Sequence, residues 1–241
     1  NFIWVMVFIG PSHRIIVIMI NLMLGDCFDK IKEIKTDSID MVVTSPPYNR
    51  KRNDKYNNHT DIVSNYVKFL ETSINDCLRI CNGNVFYNIQ KNSYNKKDVH
   101  KIMGIFSEQI IEVLIWRKSN PMPNPYLINA YEYILVLSKN NKSLKANKTY
   151  TLNHFTTPVY SSNPHKKIHR AVMHPEAARF ILDNFGGKGD VVCDPFMGLG
   201  TTGVESVKAG LGFVGIEINS DYFNIAKQQI KYSMPDLFLV T

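Results

Sequence analysis

The chain alternates short apolar runs with segments whose apolar residues recur every three or four positions. The clearest helical spacing runs from Ile62 through Phe69 to Leu78 and predicts a helix over residues 61–81 that ends at Asn82-Gly83. Further helices are predicted at residues 28–34, 98–106, 175–185 and 202–209, and strands at 20–24, 39–44, 84–89, 110–116, 131–138, 190–193 and 213–218. Strands that alternate with helices indicate one α/β domain, and 241 residues suffice for a sizeable core.

The first twenty residues are strongly apolar, but Gly-Pro-Ser-His-Arg interrupts them at positions 10–14. This break predicts a hairpin of residues 2–9 and 14–20, and neither half is long enough to span a bilayer. No small-residue cleavage site follows, which argues against a signal peptide. We expect residues 1–18 to be a dispensable extension, with Met19 or Met23 as the natural start, and residues 19–241 to form the functional domain.

A Ser-Pro-Pro-Tyr turn directly follows the predicted strand at residues 39–44. Its residues are Ser45, Pro46, Pro47 and Tyr48, called the Pro-Pro turn below. Two prolines fix φ twice and remove two backbone donors, so carbonyls remain that could accept hydrogen bonds from an exocyclic amino group. The tyrosine adds a flat face on which a base could stack. Taken alone, these four residues equally suit a strand-ending turn with a buried tyrosine.

The segment after the Pro-Pro turn is polar and basic. Its cationic residues are Arg50, Lys51, Arg52 and Lys55. A loop of this kind next to a candidate site suits either a lid or DNA-contacting segment, or a plain solvated loop. Residues 139–162 are rich in Lys, Asn and Thr without clear periodicity, and we place an inserted recognition segment at residues 139–170.

A glycine-rich loop joins a strand to a helix late in the chain. It begins with Asp194 and runs to Gly203, and Glu217 follows near the end of the next strand. Glycines allow close approach of backbone to a ligand, and the acid can accept hydrogen bonds from ribose hydroxyls. A carboxylate at Asp194 would repel a pyrophosphate but can pair with an α-amino group. We therefore favour a nucleoside that carries an amino acid, such as S-adenosylmethionine, over a nicotinamide cofactor.

Composition adds weaker constraints. The net charge of +7 and the sequence pI of about 9.1 favour a polyanionic partner, nucleic acid first. Four scattered cysteines fit a reduced, intracellular setting rather than a disulfide framework. Three histidines between residues 165 and 174 have no Cys or carboxylate cluster beside them, so we predict no metal site.

The order of these motifs resembles the DNA amino-methyltransferases of the permuted beta group. In that family the Pro-Pro motif comes first, then a recognition segment, then the cofactor glycine motif. The resemblance spans about residues 20–232. It implies a Rossmann-like fold with a mostly parallel, doubly wound sheet, and S-adenosylmethionine as cofactor. The recognition segment is short, the stretch before residue 175 follows the family pattern loosely, and the N-terminal extension has no counterpart.

The resemblance assigns roles residue by residue. The catalytic set is Ser45, Pro46, Pro47 and Tyr48. The cofactor-binding set is Asp26, Cys27, Thr44, His174, Asp194, Pro195, Phe196, Gly198, Gly200, Thr201, Thr202 and Glu217. The DNA-binding set is Arg50, Lys51, Arg52, Lys55, Trp116, Lys118, Lys166, Lys167 and Arg170.

The expected reaction is methylation of an exocyclic amino group on a flipped base. Ser45 Oγ and the Pro46 carbonyl would accept its two hydrogens, while Tyr48 stacks on the base. Serine at the first motif position favours cytosine N4, with adenine N6 as the alternative. The expected partner is double-stranded DNA; a cognate restriction endonuclease and a homodimer stay open, and the expected location is intracellular with DNA, in the cytoplasm or nucleoid or in a viral factory. The rival functions are a nicotinamide-dependent oxidoreductase and an inactive DNA-binding relative.

Overall fold

The fold is an α/β architecture with one large sheet between two layers of helices. The computed structural model describes residues 3–9, 14–50, 62–122, 129–140, 143–144, 146–148, 151–158, 173–234 and 238–239. For residues 3–9, 14–16, 120–122 and 238–239 it describes the backbone alone. The strands are β1 (Ile3–Ile9), β2 (Arg14–Leu24), β3 (Ile39–Thr44), β4 (Cys81–Ile89), β5 (Ile110–Met122), β6 (Asn129–Leu137), β7 (His154–Thr157), β8 (Val191–Asp194), β9 (Gly212–Glu217) and β10 (Phe238–Leu239). The helices are α1 (Cys27–Lys30), followed by a 3-10 turn (Ile31–Glu33), then α2 (Tyr66–Ile80), α3 (Lys96–Ile105), α4 (Pro175–Phe185), α5 (Thr201–Lys208) and α6 (Ser220–Tyr232).

The described strands form one sheet in the order β10-β1-β2-β9-β8-β3-β4-β6-β5-β7. Its centre, from β2 to β4, is parallel, whereas β6 runs antiparallel to both β4 and β5. The parallel strands therefore end along one edge of the sheet, which is where ligands bind in open α/β folds. The mostly parallel, doubly wound sheet predicted from the sequence is confirmed.

The core lies on both faces of the sheet. One face packs α4, α5 and α6 against side chains such as Phe86, Val192 and Phe213. The other face packs α2 and α3 against Val42, Val85 and Tyr87. Because the central strands are covered on both sides, they are nearly continuous apolar runs, which is why the sequence pattern located them.

Two predicted elements match the structure at both ends. They are β3, predicted at residues 39–44, and α4, predicted at 175–185. Pro175 occupies the first turn of α4, where its missing N–H costs nothing, and the His174 side chain accepts a hydrogen bond from the N–H of Glu176. Local chemistry therefore fixes the start of α4.

The predicted helix end at Asn82-Gly83 is wrong. Helix α2 ends at Ile80, and both residues lie within β4. A Cβ on Gly83 would lie 2.1 Å from the carbonyl oxygen of Asp40 on the neighbouring strand. The glycine is required by close strand contact rather than by a helix cap.

The N-terminal prediction of a hairpin is confirmed for the described residues. β1 pairs antiparallel with β2 from Ile3↔Ile20 to Ile9↔Arg14, and β10 pairs with β1. The expected boundary at residue 18 falls inside β2, where Ile18 is buried. The dispensability of residues 1–18 stays a prediction, with its boundary now placed within a continuous strand.

Part of the expected recognition segment is built into the domain. β7 pairs parallel with β5, and Phe155 stacks on Phe180 of α4 with ring centroids 4.1 Å apart. The Asn147 amide donates to the carbonyls of Asp183 and Gly186 at the end of α4. These residues of the expected recognition segment therefore also contribute to the packing of the domain. Among the described residues, no helix is both long and apolar enough to cross a membrane.

Candidate active site

The Pro-Pro turn and the glycine loop (residues 194–203) lie side by side at the carboxyl edge of the sheet. β3 and β8 are parallel neighbours, and each ends where one of these segments begins. The Thr44 hydroxyl donates to Asp194 Oδ1 over 2.7 Å, and both residues are buried. This bond joins the residue before Ser45 to the first residue of the glycine loop, across 150 positions of sequence.

Several hydrogen bonds hold the Pro-Pro turn and the residue that follows it. The Tyr66 hydroxyl donates to the Pro47 carbonyl over 2.8 Å, and the Asn95 amide donates to the Tyr48 carbonyl over 2.8 Å. Asn49, at a φ of 50°, exchanges two hydrogen bonds with the backbone of Val63. The turn is therefore fixed against the start of α2 and the loop before α3.

The Pro46 carbonyl differs from the carbonyls of Pro47 and Tyr48, which both accept hydrogen bonds. Within the described part of the chain, no residue donates a hydrogen bond to it. It retains the acceptor capacity that the sequence analysis expected of this turn.

Tyr48 lies inside the site rather than on its surface. Its side chain is only 7% exposed, and its hydroxyl lies 2.6 Å from Ser45 Oγ and donates to Glu132 Oε2 over 3.0 Å. Burial, with the negative charge of Glu132, raises the pKa of Tyr48 well above its usual value. The guanidinium of Arg50 lies 5.3 Å from the centre of the ring. A base that stacks on the face of Tyr48 covered by Arg50 would have to displace that guanidinium.

Two polar residues that the sequence analysis missed complete this part of the site. Asn88 on β4 donates to the Tyr48 hydroxyl over 2.7 Å and to Glu132 over 2.8 Å. Glu132 on β6 is almost fully buried and forms an ion pair with Lys118. The available signal was a polar residue facing the core from an otherwise apolar strand, which is rare unless the group is paired or functional.

The glycine loop folds back on the end of β9. The N–H of Met197 donates to the carbonyl of Ile216, and Gly198 and Gly200 have φ values of 55° and 84°. A Cβ on Gly200 would lie 2.9 Å from the Cβ of Ala226 on α6. The two glycines thus allow a left-handed path that a side chain would strain and, at position 200, obstruct.

Glu217 ends β9 beside this loop. Its carboxylate accepts hydrogen bonds from the N–H groups of Gly198 and Asn219, over 2.9 and 2.8 Å. Burial raises the pKa of Glu217 to about 7. Each carboxylate oxygen retains a further lone pair, so the group can still accept from ribose hydroxyls.

Asp194 serves the protein's own backbone and side chains. Besides Thr44, it accepts from the N–H of Phe196 over 3.1 Å and from Thr202, and burial raises its pKa to about 6. These donors shape the start of the glycine loop. The expected direct pairing of Asp194 with an α-amino group therefore competes with bonds that the carboxylate already makes.

Gly25 and Asp26, between β2 and α1, lie next to the glycine loop. The Asp26 carboxylate caps α1 by accepting from the N–H of Phe28 over 2.8 Å, and the N–H of Gly25 donates to the carbonyl of Glu217. A small cleft between α1, α2 and the glycine loop is lined by Cys27, Phe28, Ile31, Ser73, Asp76, Pro195 and Phe196. Three of the expected cofactor residues thus share one cleft.

Other expected site residues take structural positions. Trp116 is buried, and its indole N–H donates to the Thr157 hydroxyl over 2.9 Å, so its burial does not fit direct contact with DNA. Lys118 lies 5.0 Å from the Trp116 ring centre and pairs with Glu132, which turns it toward the active site. His174 caps α4, and burial lowers its pKa. Thr201 begins α5.

Six expected DNA contacts lie outside the described residues. They are Lys51, Arg52, Lys55, Lys166, Lys167 and Arg170. In the described ranges, no three His, Cys, Asp or Glu side chains group as metal ligands. Burial raises the pKa of the thiols of Cys77 and Cys193, so neither provides a thiolate nucleophile.

Comparisons with known proteins identify the family. The sequence profile of the N6/N4 DNA methylase family matches residues 39–228. The Type II methyltransferase M.HinfI of Haemophilus influenzae is 27% identical over 247 residues, which cover 88% of this chain and 68% of that protein. The solved structure of the PvuII DNA methyltransferase (cytosine-N4-specific) has a TM-score of 0.73 at 15% identity and covers 87% of this chain and 86% of its own. That of M1.HpyAVI with S-adenosylmethionine has a TM-score of 0.64 at 22% identity, over 88% and 100%. The chain belongs to the N6/N4 DNA methylase family and is an S-adenosylmethionine-dependent DNA amino-methyltransferase.

Proposed function

We propose that this methyltransferase modifies N4 of cytosine, with the Pro-Pro turn as its catalytic element. The observation that carries the assignment of the turn is the Thr44–Asp194 hydrogen bond, which brings Ser45 beside the glycine loop. The choice of cytosine rests on serine at position 45, because the resemblance associates serine there with N4 and a carboxylate or amide with adenine N6. Adenine N6 is the alternative for the same geometry.

An exocyclic amino nitrogen is a poor nucleophile because its lone pair is delocalised into the ring. Ser45 Oγ and the Pro46 carbonyl accept its two hydrogens, which favours a pyramidal nitrogen with an exposed lone pair. The base must leave the duplex to reach them. Most of the rate then comes from positioning and from stabilisation of developing charge.

The residues around the glycine loop fit S-adenosylmethionine. When bound, the cofactor supplies an electrophilic methyl group. Glu217 has acceptor capacity for the ribose, and Gly198 and Gly200 let backbone approach the ligand. Asp26 and Cys27 border the adenosine side in the arrangement that the resemblance implies. The burial of Glu217 excludes water from this carboxylate and makes its hydrogen bonds to a ligand stronger than they would be at the surface.

Binding of DNA by the basic residues of the chain is the electrostatic part of the proposal. The Arg50 guanidinium lies over the ring of Tyr48 in the Pro-Pro turn, and the net charge of +7 favours a polyanionic partner. Contacts of this kind release counterions, so affinity should fall steeply with salt. We assign phosphate contacts to Arg50 and to the six cationic residues outside the described ranges.

The biological setting is part of the same proposal. Similarity to a Type II methyltransferase supports a cognate restriction endonuclease as partner and an intracellular location with DNA. A homodimer is a separate hypothesis, which sedimentation of the free protein and of its DNA complex would test. A single species of monomer mass in both would contradict it.

Product identification tests the assignment of the base. The protein is incubated with varied DNA and labelled S-adenosylmethionine, and the digested nucleosides are identified by mass. We expect N4-methylcytosine. N6-methyladenine would retain the fold, cofactor and turn but overturn the inference from Ser45. Retained cofactor binding without a methylated nucleoside would favour an inactive DNA-binding relative.

A further inference from the structure

Glu132 is a buried carboxylate in the active site that the proposed chemistry does not yet use. Its side chain is 2% exposed and forms an ion pair with Lys118 through Oε1. Oε2 accepts hydrogen bonds from the Tyr48 hydroxyl over 3.0 Å and from the Asn88 amide over 2.8 Å. The Tyr48 hydroxyl in turn lies 2.6 Å from Ser45 Oγ. We call these five side chains the Ser45 relay.

The ion pair sets the direction of the hydrogen bonds in the Ser45 relay. An ionised carboxylate only accepts hydrogen bonds, and Glu132 is ion-paired through Oε1 with the ammonium group of Lys118. The Tyr48 hydroxyl therefore gives its hydrogen to Glu132. If the Tyr48 hydrogen pointed away from Glu132, the lone pairs of the Tyr48 oxygen would face those of the carboxylate. In a buried site such repulsion is weakly screened. Tyr48 has no second hydrogen to give to Ser45.

The orientation of the Ser45 hydroxyl follows from this. Because Tyr48 presents only lone pairs to Ser45, the Ser45 hydrogen points toward Tyr48. The Asn88 amide nitrogen also acts as a donor, 2.7 Å from the Tyr48 hydroxyl and 3.3 Å from Ser45 Oγ. Ser45 Oγ can thus present a lone pair, rather than its hydrogen, to a substrate.

We propose that Glu132 is a positioning residue that holds the Ser45 hydroxyl as a hydrogen-bond acceptor toward the target amino group. This inference rests on the proposed function, since it requires Ser45 to accept a hydrogen from an amino nitrogen. Without an acceptor beyond Tyr48, the serine hydrogen is free to turn toward the base. An outward O–H would face the amino hydrogens and could not accept them. An aspartate at position 45 would have no such hydrogen to control.

The first test is the isosteric variant Glu132→Gln. Its amide can donate to Tyr48, so the Tyr48 hydrogen turns to Ser45, and the Ser45 hydrogen turns outward. We expect the single-turnover rate of methyl transfer to fall by about 100-fold, as for other residues that orient a catalytic group. Equilibrium dissociation constants for S-adenosylmethionine and for DNA should change by less than about threefold. Glu108→Gln, the same change at an exposed site, is the matched control.

A purely structural role for Glu132 would give the same loss whatever stands at position 45. The discriminating measurement therefore repeats Glu132→Gln in a Ser45→Asp background. Because the introduced carboxylate accepts without a hydroxyl hydrogen, the second change should cost less than about threefold there. An equal loss of about 100-fold in both backgrounds would overturn the proposal, as would a Glu132→Gln rate within about threefold of the unmodified enzyme.

Tyr48→Phe provides a second background should the Ser45→Asp enzyme turn over too slowly to measure. Phenylalanine cuts the relay between Ser45 and Glu132, so the added Glu132→Gln change should then have little effect on rate. Multiplicative losses would contradict the relay. The unmodified enzyme on the same DNA is the reference, and its failure to methylate an amino group would contradict the proposed function rather than the relay.

Discussion

Glu132 and Glu205 form a natural comparison, because both side chains are 2% exposed and both pair with a lysine. Glu205 on α5 also accepts two hydrogen bonds from the Arg179 guanidinium on α4, over 2.9 and 2.7 Å. Its partners are both cations with half-exposed side chains. It therefore connects α4 to α5, and none of these contacts involves the Pro-Pro turn.

Glu132 has only one cationic partner among the described residues, and its other two contacts there are neutral donors. The Tyr48 hydroxyl and the Asn88 amide connect it to Ser45. Two equally buried glutamates therefore have different roles. Glu205, whose partners are both cations, stabilises the packing of two helices, whereas Glu132, linked through the Tyr48 hydroxyl to Ser45, can orient the Ser45 hydroxyl. The difference lies in the neighbours rather than in the glutamate.

Removing the lysine of each pair should separate the two roles most strongly. In Lys118→Met, Glu132 loses the cation paired with its Oε1, so the carboxylate is no longer fixed in place to accept the hydrogen of Tyr48. We expect the single-turnover rate to fall by about 30-fold or more. Lys208→Met removes the corresponding partner of Glu205 and should leave the rate within about twofold. Equal rates for the two variants would break the comparison.

Removing Arg179 should affect stability instead. Arg179→Met leaves Glu205 buried with Lys208 alone, and since the guanidinium is half exposed, we expect a loss of about 1–2 kcal/mol in free energy of unfolding. Thermal denaturation should show a Tm lower by about 4 °C. The rate of methyl transfer at about 25 °C should not change. Lys101→Met, at an exposed position of α3, is the control, and an equal Tm for both variants would contradict the role given to Glu205.

Glu217 extends the comparison to a buried carboxylate without a cationic partner in the described part of the chain. Burial raises its pKa to about 7, so the free enzyme holds a proton on it below that pH. Ribose hydroxyls that donate to it favour the ionised form. Affinity for S-adenosylmethionine should therefore rise by about tenfold between about pH 6 and pH 8 and then level off.

Isothermal titration across this range measures the effect. The Glu217→Gln variant should bind S-adenosylmethionine more weakly. Its affinity should also lose most of its pH dependence above pH 7, where Asp194, with a pKa of about 6, is already ionised. A flat profile for the unmodified protein would show that Glu217 does not contact the cofactor.

The sequence could predict features that depend on local residues, but not those that depend on partners distant in the chain. The sequence predicted the glycine loop and the Pro-Pro turn because glycine and proline favour turns, and their presence directly after an apolar run marks the end of a strand. Glu132 and Asn88 were missed because they lie inside strands, where their partners come from Lys118 and Tyr48, distant in sequence. Periodicity located β4 and β6 but could not reveal which polar side chain faces another across the sheet.

The predicted bounds of helices and strands also depended on whether local or distant residues set them. β3 and α4 were predicted to the residue because local signals bound them. Gly83 was misassigned to a helix end because its role depends on the approach of Asp40 from another strand. β7 was absent from the prediction because a four-residue edge strand has too few residues to show a period.

The central claim is that Ser45 takes part in methyl transfer beside a separately formed cofactor site. Ser45→Ala tests it most directly, by single-turnover rate on DNA together with titration of S-adenosylmethionine. We expect a rate lower by at least about 100-fold with cofactor affinity within about threefold. An unchanged rate would contradict the role of Ser45, and the account of the Pro-Pro turn with it.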